Sequence, residues 1–211
     1  MDLAKMSFDE LNELVGYKVS EPYEEYYAPM QISEKQKRNR IMMAQELDNV
    51  FLGLLAHIFY SEQLGIVIAS DLYERTRQEY IAAISDMVEP DEYVYNHATS
   101  IIANTVAVLY KHRDDPYFYS ADRARAIAES EANVIFGHTE YEDAVKNKKF
   151  KTWHTTMDGR ERDSHAEVNG TTLPILEAFE LQGGYLQFPG DDSLDVSESE
   201  LANCRCVLSF S

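Results

Sequence analysis

Residues 150–165 read FKTWHTTMDGRERDSH, and this stretch decides how the C-terminal third of the chain folds. Its first eight residues alternate between two sets of side chains that are rich in aromatic and β-branched types. That period of two is typical of a β-strand. The dipeptide Asp158-Gly159 that follows is a turn signal. The stretch therefore predicts a strand from Phe150 to about Met157 that ends in a turn.

The sequence after this strand predicts a small mixed unit. The dipeptide Asn169-Gly170 is a tight-turn signal, because both residues accept a positive φ. Residues 176–179 predict a short turn of helix, and the glycine-rich residues 183–184 and 188–192 predict loops. Alternation resumes from Cys204 to Phe210, which predicts a closing strand.

The sequence before residue 150 has a different pattern, with apolar side chains at spacings of three and four. This is the pattern of amphipathic helices, and it predicts helices over about 33–63, 66–88, 91–111 and 120–146. Ser7 to Glu10 has the form of a capping box and predicts a short helix up to about Gly16. Residues 18–32 contain two prolines and three tyrosines and predict an extended arm that docks either on the body of the same chain or on a partner.

The predicted fold class is α+β, with an elongated helical N-terminal region followed by a small mixed α+β C-terminal domain. The predicted boundaries are 1–119 for the helical region with its N-terminal arm, and 120–211 for the C-terminal domain. The alternative for the apolar helix faces is that they meet a partner subunit instead of one another.

Composition excludes several classes of protein. The formal net charge is −18, so the surface repels nucleic acid phosphates, and strong direct DNA binding is not expected. The basic cluster Lys146, Lys148, Lys149 and Lys151 is interpreted as a solvated helix end.

The sequence contains no apolar run long enough to span a membrane and does not begin like a signal peptide. Two cysteines one residue apart predict no disulfide framework, which favours a reducing cytoplasm.

A cluster of charged residues follows the predicted strand. Asp158, Arg160, Arg162, Asp163 and His165 combine carboxylates, guanidinium groups and an imidazole, the groups used for acid–base chemistry or phosphate handling. No nucleophile motif or phosphate-binding loop accompanies them. The favoured interpretation is therefore a structural hydrogen-bonded network that fixes the loops, with Trp153 in the core and Arg205 reaching the network.

Imidazole and thiolate are the ligands that zinc prefers, so His165, Cys204 and Cys206 are candidate metal ligands, with His154 as a candidate fourth. The alternative is that the two cysteines share one face of the closing strand and pack as small hydrophobic side chains, with Arg205 on the opposite face.

An ordered series of these residues resembles the phage Mu protein F-like family of minor head, or head morphogenesis, proteins. The series runs Lys151, Trp153, Thr155, Asp158, Arg160, Arg162, His165, Asn169-Gly170, Phe179, Pro189-Gly190 and Asn203-Cys204-Arg205-Cys206. Residues 125–131 also resemble the segment that precedes the tryptophan strand in such proteins, so the resemblance covers about 120–211.

The resemblance implies a virion protein of a tailed phage or prophage, made in the bacterial host cytoplasm and carried in the phage head. It implies binding to the portal protein, with the coat or scaffolding protein as a further partner, and an influence on DNA packaging or delivery. It implies a structural protein and not an enzyme. Some relatives have cysteines at the positions of Arg162 and His165 and a histidine at that of Leu201. The departures at Arg162 and Leu201 weaken the zinc hypothesis.

Two other functions remain open at this point. One is a small hydrolase, nuclease-like or toxin-effector domain that uses Asp158, Arg160 and His165. The domain that resembles this family extends to Ser211, so no further residues are expected to host an added activity, which favours the structural class over a fused effector. The other is a packaging or ejection factor that touches DNA through the lysines of residues 146–151.

Overall fold

The structure is a computed structural model that describes residues 6–7, 10, 22–68 and 71–211. Contacts between these residues define two compact units. The first includes residues 42–128, and the second contains residues 23–41 and 129–211. The division at residues 119 and 120 remains a prediction from the sequence. The predicted helix after Ser7 and the first residues of the predicted arm lie outside the described residues.

Five α-helices precede the first strand of the described chain. Their bounds are Glu24–Tyr27 (α1), Glu34–Leu64 (α2), Leu72–Ser85 (α3), Glu92–Lys111 (α4) and Ala121–Val145 (α5). A 3-10 helix over Pro116–Tyr119 lies between α4 and α5. Four of these helices match the predicted ones. The second of the four begins at Leu72 and not near Ile66. No described helix is both long and apolar enough to cross a membrane.

Side-chain caps explain where three helices begin. Ser33 and Gln36 form a reciprocal capping box at the start of α2, with Ser33 N–H donating to Gln36 Oε1 at 3.0 Å. Asp91 caps α4 by accepting from Val94 N–H, and Ser120 caps α5 by accepting from Arg123 N–H. Each cap satisfies a backbone donor that has no partner within its helix.

The first unit has a helical core. The apolar face predicted for α2 is buried from Leu47 to Ile58, and Phe51 packs edge-to-face on Tyr80 of α3 with ring centroids 6.2 Å apart. Phe59, which follows this buried stretch, is 37% exposed. The apolar faces of α3 and α4 are likewise buried, at residues that include Ile84, Ile102 and Leu109. Burial of these faces stabilises the unit.

The prediction of an extended arm was wrong for residues 22–32, where Glu24–Tyr27 form α1. The expected docking is observed, because Tyr27 is fully buried and its hydroxyl donates to the Glu129 carbonyl at 2.8 Å. Gln31 extends the contact by donating to the Thr155 carbonyl at 3.1 Å. The aromatic side chains of this segment therefore belong to the core of the second unit.

The second unit carries two small antiparallel sheets. Strands β2 (Thr172–Pro174), β1 (Phe150–His154) and β5 (Val207–Phe210) form one sheet, in the order β2-β1-β5. Strands β3 (Phe179–Leu181) and β4 (Gly184–Leu186) form the other. Two short helices, Asp163–Glu167 (α6) and Glu198–Leu201 (α7), stand between strands. The predicted α+β fold class is confirmed.

Three local predictions in this region need correction. Strand β1 ends at His154 because the Thr155 N–H turns to the side chain of Asn169, at 2.9 Å. Residues 175–176 form a turn and Phe179 opens β3, so the predicted helical turn is absent there. The cysteines precede β5 and do not lie on it.

Gly190 fixes a close approach in this unit. Its φ of +86° is unfavourable for any residue with a Cβ, and an added Cβ would lie 2.4 Å from Cγ2 of Val134 in α5. The Pro189-Gly190 loop can therefore pack on α5 only with glycine at this position.

Candidate functional site

Trp153 of β1 is fully buried and packs against the residues of the candidate site. Its indole packs edge-to-face on the His165 imidazole, with centroids 5.6 Å apart, and on Phe179 at 5.1 Å. Such aromatic pairs stabilise a core beyond the area that they bury. The buried tryptophan thus positions His165 of α6 beneath the loops that follow β1.

Asp158 lies in the turn after β1 and accepts hydrogen bonds from two arginines. Arg205 donates from Nη1 and Nη2 to both carboxylate oxygens, at 2.6 and 2.8 Å, and Arg160 donates from Nη2 at 3.1 Å. The Arg205 side chain is 10% exposed, whereas that of Arg160 is 71% exposed. Arg205 is therefore the stronger partner, and it ties the turn to the segment before β5.

The charges around Asp158 change its acidity. The hydrogen bonds from Arg205 hold the pKa of the Asp158 carboxyl well below its usual range, and bonds from the backbone and side chain of Arg160 add to the effect. Asp158 is thus a fixed anion over the physiological pH range. A carboxylate of this kind serves poorly as a general base.

Arg162 also contacts the segment before β5, because its Nη2 donates to the carbonyl oxygen of Ala202. Arg162 also immediately precedes α6, the five-residue helix that carries His165. The three arginines therefore hold loops together, in contacts to Asp158 and to a backbone carbonyl.

His165, Cys204 and Cys206 converge in the interior. Nδ1 of His165 lies 3.3 Å from the Cys206 sulfur and 3.6 Å from the Cys204 sulfur. All three residues are buried, and their ligand atoms lie within 4.8 Å of one another. The sequence prediction that these three residues form one cluster is consistent with this geometry.

Glu200 of α7 completes the cluster and was missed by the sequence reasoning. Its Oε2 lies 3.0 Å from His165 Nε2 and accepts from the Ser164 hydroxyl at 2.8 Å. Because Nε2–H donates to this carboxylate, the lone pair of a neutral imidazole is on Nδ1 and faces the two sulfurs. A carboxylate–histidine pair of this kind is the usual support of a metal-binding imidazole.

The buried thiols and the imidazole influence one another. The hydrogen bond with Cys206 and the one with His165 lower the pKa of the Cys204 thiol against the effect of burial. The same Cys204 hydrogen bond and burial raise the pKa of Cys206. Burial lowers the pKa of His165, but contacts with Cys204 and Glu200 outweigh it, so the pKa is raised. The protonation of each of the three groups therefore depends on that of the other two.

The donor set is that of a soft metal, since two sulfurs and one supported imidazole face a common point. His154, the candidate fourth ligand, does not lie with these three residues, and its Nε2 pairs with the Ser209 hydroxyl at 2.7 Å. Among the described residues, no further histidine, cysteine or carboxylate joins the three. His165, Cys204 and Cys206 would hold the metal and Glu200 would orient His165, with the fourth position left to a ligand from outside this set.

A second set of polar residues, also missed by the sequence reasoning, fixes the cysteine segment from α5. The Asn133 amide donates to the carbonyls of Cys204 and Cys206, at 3.2 and 3.0 Å. Its Oδ1 accepts from Arg40 Nε at 2.9 Å, and Arg40 pairs with both carboxylate oxygens of Glu140. Arg40 and Asn133 are both buried. A lone asparagine in a helical pattern offers no signal that would have identified it.

The residues of the catalytic alternative are only partly brought together. Asp158 bonds to arginines and His165 bonds to Glu200 and the sulfurs, and no hydrogen bond joins Asp158 to His165 in the described part of the chain. Asp163 begins α6. The observed contacts link these charged groups to their immediate neighbours.

Comparison with known proteins matches this arrangement to one family. The model of the family described as "Phage Mu protein F like protein" matches residues 75–209, which is more than half of the chain. A Bacillus subtilis (strain 168) protein named "Uncharacterized protein YqbB" is 33% identical over 103 residues.

The match to YqbB covers 46% of this chain and 33% of YqbB, so the chain aligns with about a third of that relative. No solved structure gives a significant match. The family match includes Trp153, the three arginines, His165 and both cysteines. The chain therefore belongs to the phage Mu protein F-like family and is a bacteriophage head-related protein.

Proposed function

We propose that this chain is a minor head protein that acts in phage head morphogenesis by binding the portal protein, with the coat or scaffolding protein as a further partner. In this role it influences DNA packaging or delivery. It is made in the host cytoplasm and carried in the virion. The observation that carries the proposal is the family match over residues 75–209.

The contacts of the candidate site support a structural role. Arg205 and Arg160 are engaged by Asp158, Arg162 by a backbone carbonyl, and His165 by Glu200. These interactions link the turn after β1 and helix α6 to helix α7 and the segment before β5. A rigid module of this kind suits a component that must present one surface to a large assembly.

Charge also supports the proposal. A net charge of −18 disfavours adhesion to DNA, which suits a protein that sits near packaged DNA without binding it. The alternative role in direct DNA contact depends on the lysines near residue 146, and one of these, Lys151, is fully buried against Gln187.

The proposed partner is tested by co-expressing the chain with the portal protein, and separately with the coat protein, of the same phage. A complex that survives size-exclusion chromatography is expected with the portal protein. Association with neither protein would contradict the proposal. A variant with Lys111→Glu, a charge change on an exposed helix end, is the control for non-specific electrostatic association.

We also propose that the chain has a structural role and no enzymatic activity. Incubation with supercoiled plasmid DNA and with p-nitrophenyl esters and phosphates is expected to give no turnover above buffer. Turnover that disappears in both Asp158→Asn and His165→Ala, with the fold retained, would support the hydrolase or nuclease-like alternative instead.

A further inference from the structure

Strand β5 lies at an edge of its sheet. The order β2-β1-β5 leaves β5 with one strand neighbour, so its second edge faces away from β1. The opposite edge strand, β2, is three residues long and ends in Pro174, which has no N–H to donate. Edge strands of natural proteins are commonly blocked in such ways. Residues 207–210 of β5 contain neither proline nor a charged side chain.

The register identifies the backbone groups at the open edge. Phe150 and Ser211 exchange two hydrogen bonds, at 3.0 and 3.1 Å. Because hydrogen-bonded pairs alternate in an antiparallel ladder, Ser209 and Val207 also bond to β1. The N–H and C=O groups of Leu208 and Phe210 therefore point away from β1.

These groups line an open groove of about 630 Å³ in the second unit. Residues 208–210 form one wall, and the other is formed by residues 31–33, Gln36, the end of α5 with Glu140 and Asp143, and residues 147–148. The groove lies beside residues 208–210 of the strand. Gln31 stands at the Val207 end, where it bonds to Thr155, and Lys148 at the other end, beside the Lys149–Ser211 contact.

Two carboxylates and one lysine line the groove, and both carboxylates are already paired, Glu140 with Arg40 and Asp143 with Lys146. Lys148 lines the groove and is exposed, and Lys146 and Lys149 are exposed nearby. Lys148 forms no ion pair with the described residues, whereas Lys146 is paired with Asp143. An exposed, unpaired lysine in a chain of net charge −18 favours a ligand that brings a carboxylate to this end.

We infer that this groove binds an extended segment of a partner protein, which adds a strand to β5 and places an acidic side chain near Lys148. Main-chain hydrogen bonds to Leu208 and Phe210 supply affinity, and the acidic side chain supplies register. A second copy of this chain fits less well, because its residues 207–210 offer no carboxylate and it carries the same net charge. The inference names a surface for the proposed assembly role, and it can fail while that role holds.

The test uses the full chain, labelled with nitrogen-15, and a capped peptide of sequence Asp-Thr-Val-Thr-Val. Titration to millimolar concentration is expected to shift the amide signals of Leu208 and Phe210 most strongly and to slow their hydrogen exchange. N-methylation at alternate residues removes the N–H donors from one edge of an extended peptide. A peptide methylated on the edge that faces β5 is expected to lose binding.

A charge reversal tests the end of the groove. Lys148→Glu is expected to weaken peptide binding by about two- to fivefold, the range for an exposed ion pair, whereas the matched control Lys111→Glu leaves it unchanged. Unshifted β5 amides with both peptides would overturn the inference. It would also be overturned if these amides changed with protein concentration alone and sedimentation showed a dimer, because the occupant would then be a second copy. Neither result depends on whether the portal protein co-purifies.

Discussion

Arg205 donates two hydrogen bonds, 2.6 and 2.8 Å long, to the carboxylate of Asp158, although the two residues are 47 positions apart in the sequence. The contact connects the turn after β1 to the segment that leads into β5. Because the Arg205 side chain is 10% exposed and that of Asp158 is 22% exposed, solvent screens the pair only in part. Its bidentate geometry favours a larger contribution than that of an ordinary surface ion pair.

The first prediction concerns the energy of this pair. Arg205→Met and Asp158→Asn are each expected to lower the free energy of unfolding, with a coupling of about 1 kcal/mol in a double-mutant cycle measured by urea unfolding. Arg160→Gln is the matched control, and it is expected to cost less than about 0.5 kcal/mol because that side chain is largely exposed. A coupling near zero between Arg205 and Asp158 would show that the pair does not stabilise the fold.

The second prediction concerns pH. The pKa of Asp158 is lowered in the folded protein, so the folded state binds this proton more weakly than the unfolded state. The contribution to stability is therefore complete above the unfolded pKa of about 4 and is lost as pH falls through and below it. Urea unfolding from pH 7 to pH 3 is expected to show a steeper loss for the natural chain than for Asp158→Asn. Parallel curves would contradict this expectation.

The third prediction concerns Asn133, the buried link from α5 to the cysteine segment. Asn133→Ala leaves two buried carbonyls and Arg40 Nε without their partner, so it is expected to cost about 2–3 kcal/mol of unfolding free energy. Asn147→Ala, at an exposed position on the turn after α5, is the control and should lie within about 0.5 kcal/mol of the natural chain. Equal midpoints for the two variants would rule out the structural role of Asn133.

Local patterns in the sequence predicted much of this fold. Helix starts at Ser33, Asp91 and Ser120 follow from capping chemistry that a short window contains, and the strand around Trp153 follows from a period of two. Residues 22–32 were misjudged, because the segment shows no period and becomes helical where Tyr27 finds a buried partner in Glu129.

The sequence predicted the main residues of the candidate site but not the residues that hold them in place. Asp158, His165 and Arg205 carry chemistry that identifies them in a sequence, and Asp158 does meet Arg205 while His165 meets both cysteines. Glu200 and Asn133 act through contacts with residues 35 and 71 positions away, which no local pattern encodes. His154 was misassigned because its strand places it against Ser209.

The fourth prediction comes from the zinc hypothesis. If His165, Cys204 and Cys206 bind zinc, protein purified without added metal should contain about one zinc per chain by elemental analysis. Cys204→Ser should abolish it, and Glu200→Gln should weaken affinity about ten- to a hundredfold through the orientation of His165. His154→Ala is the control and should retain the metal. Metal-free natural protein that also fails to take up zinc in dialysis would end the hypothesis.

The fifth prediction separates two effects at glycines. Gly190 and Gly159 both have positive φ, at +86° and +79°, but only at Gly190 does an added Cβ meet a neighbour, at 2.4 Å from Cγ2 of Val134. Gly159→Ala is expected to cost about 1 kcal/mol from backbone strain alone. Gly190→Ala adds a clash with α5 and is expected to cost about 2–4 kcal/mol. Thermal and urea unfolding of the two variants measure the difference, and equal losses would mean that the Pro189-Gly190 loop does not depend on its close approach to α5.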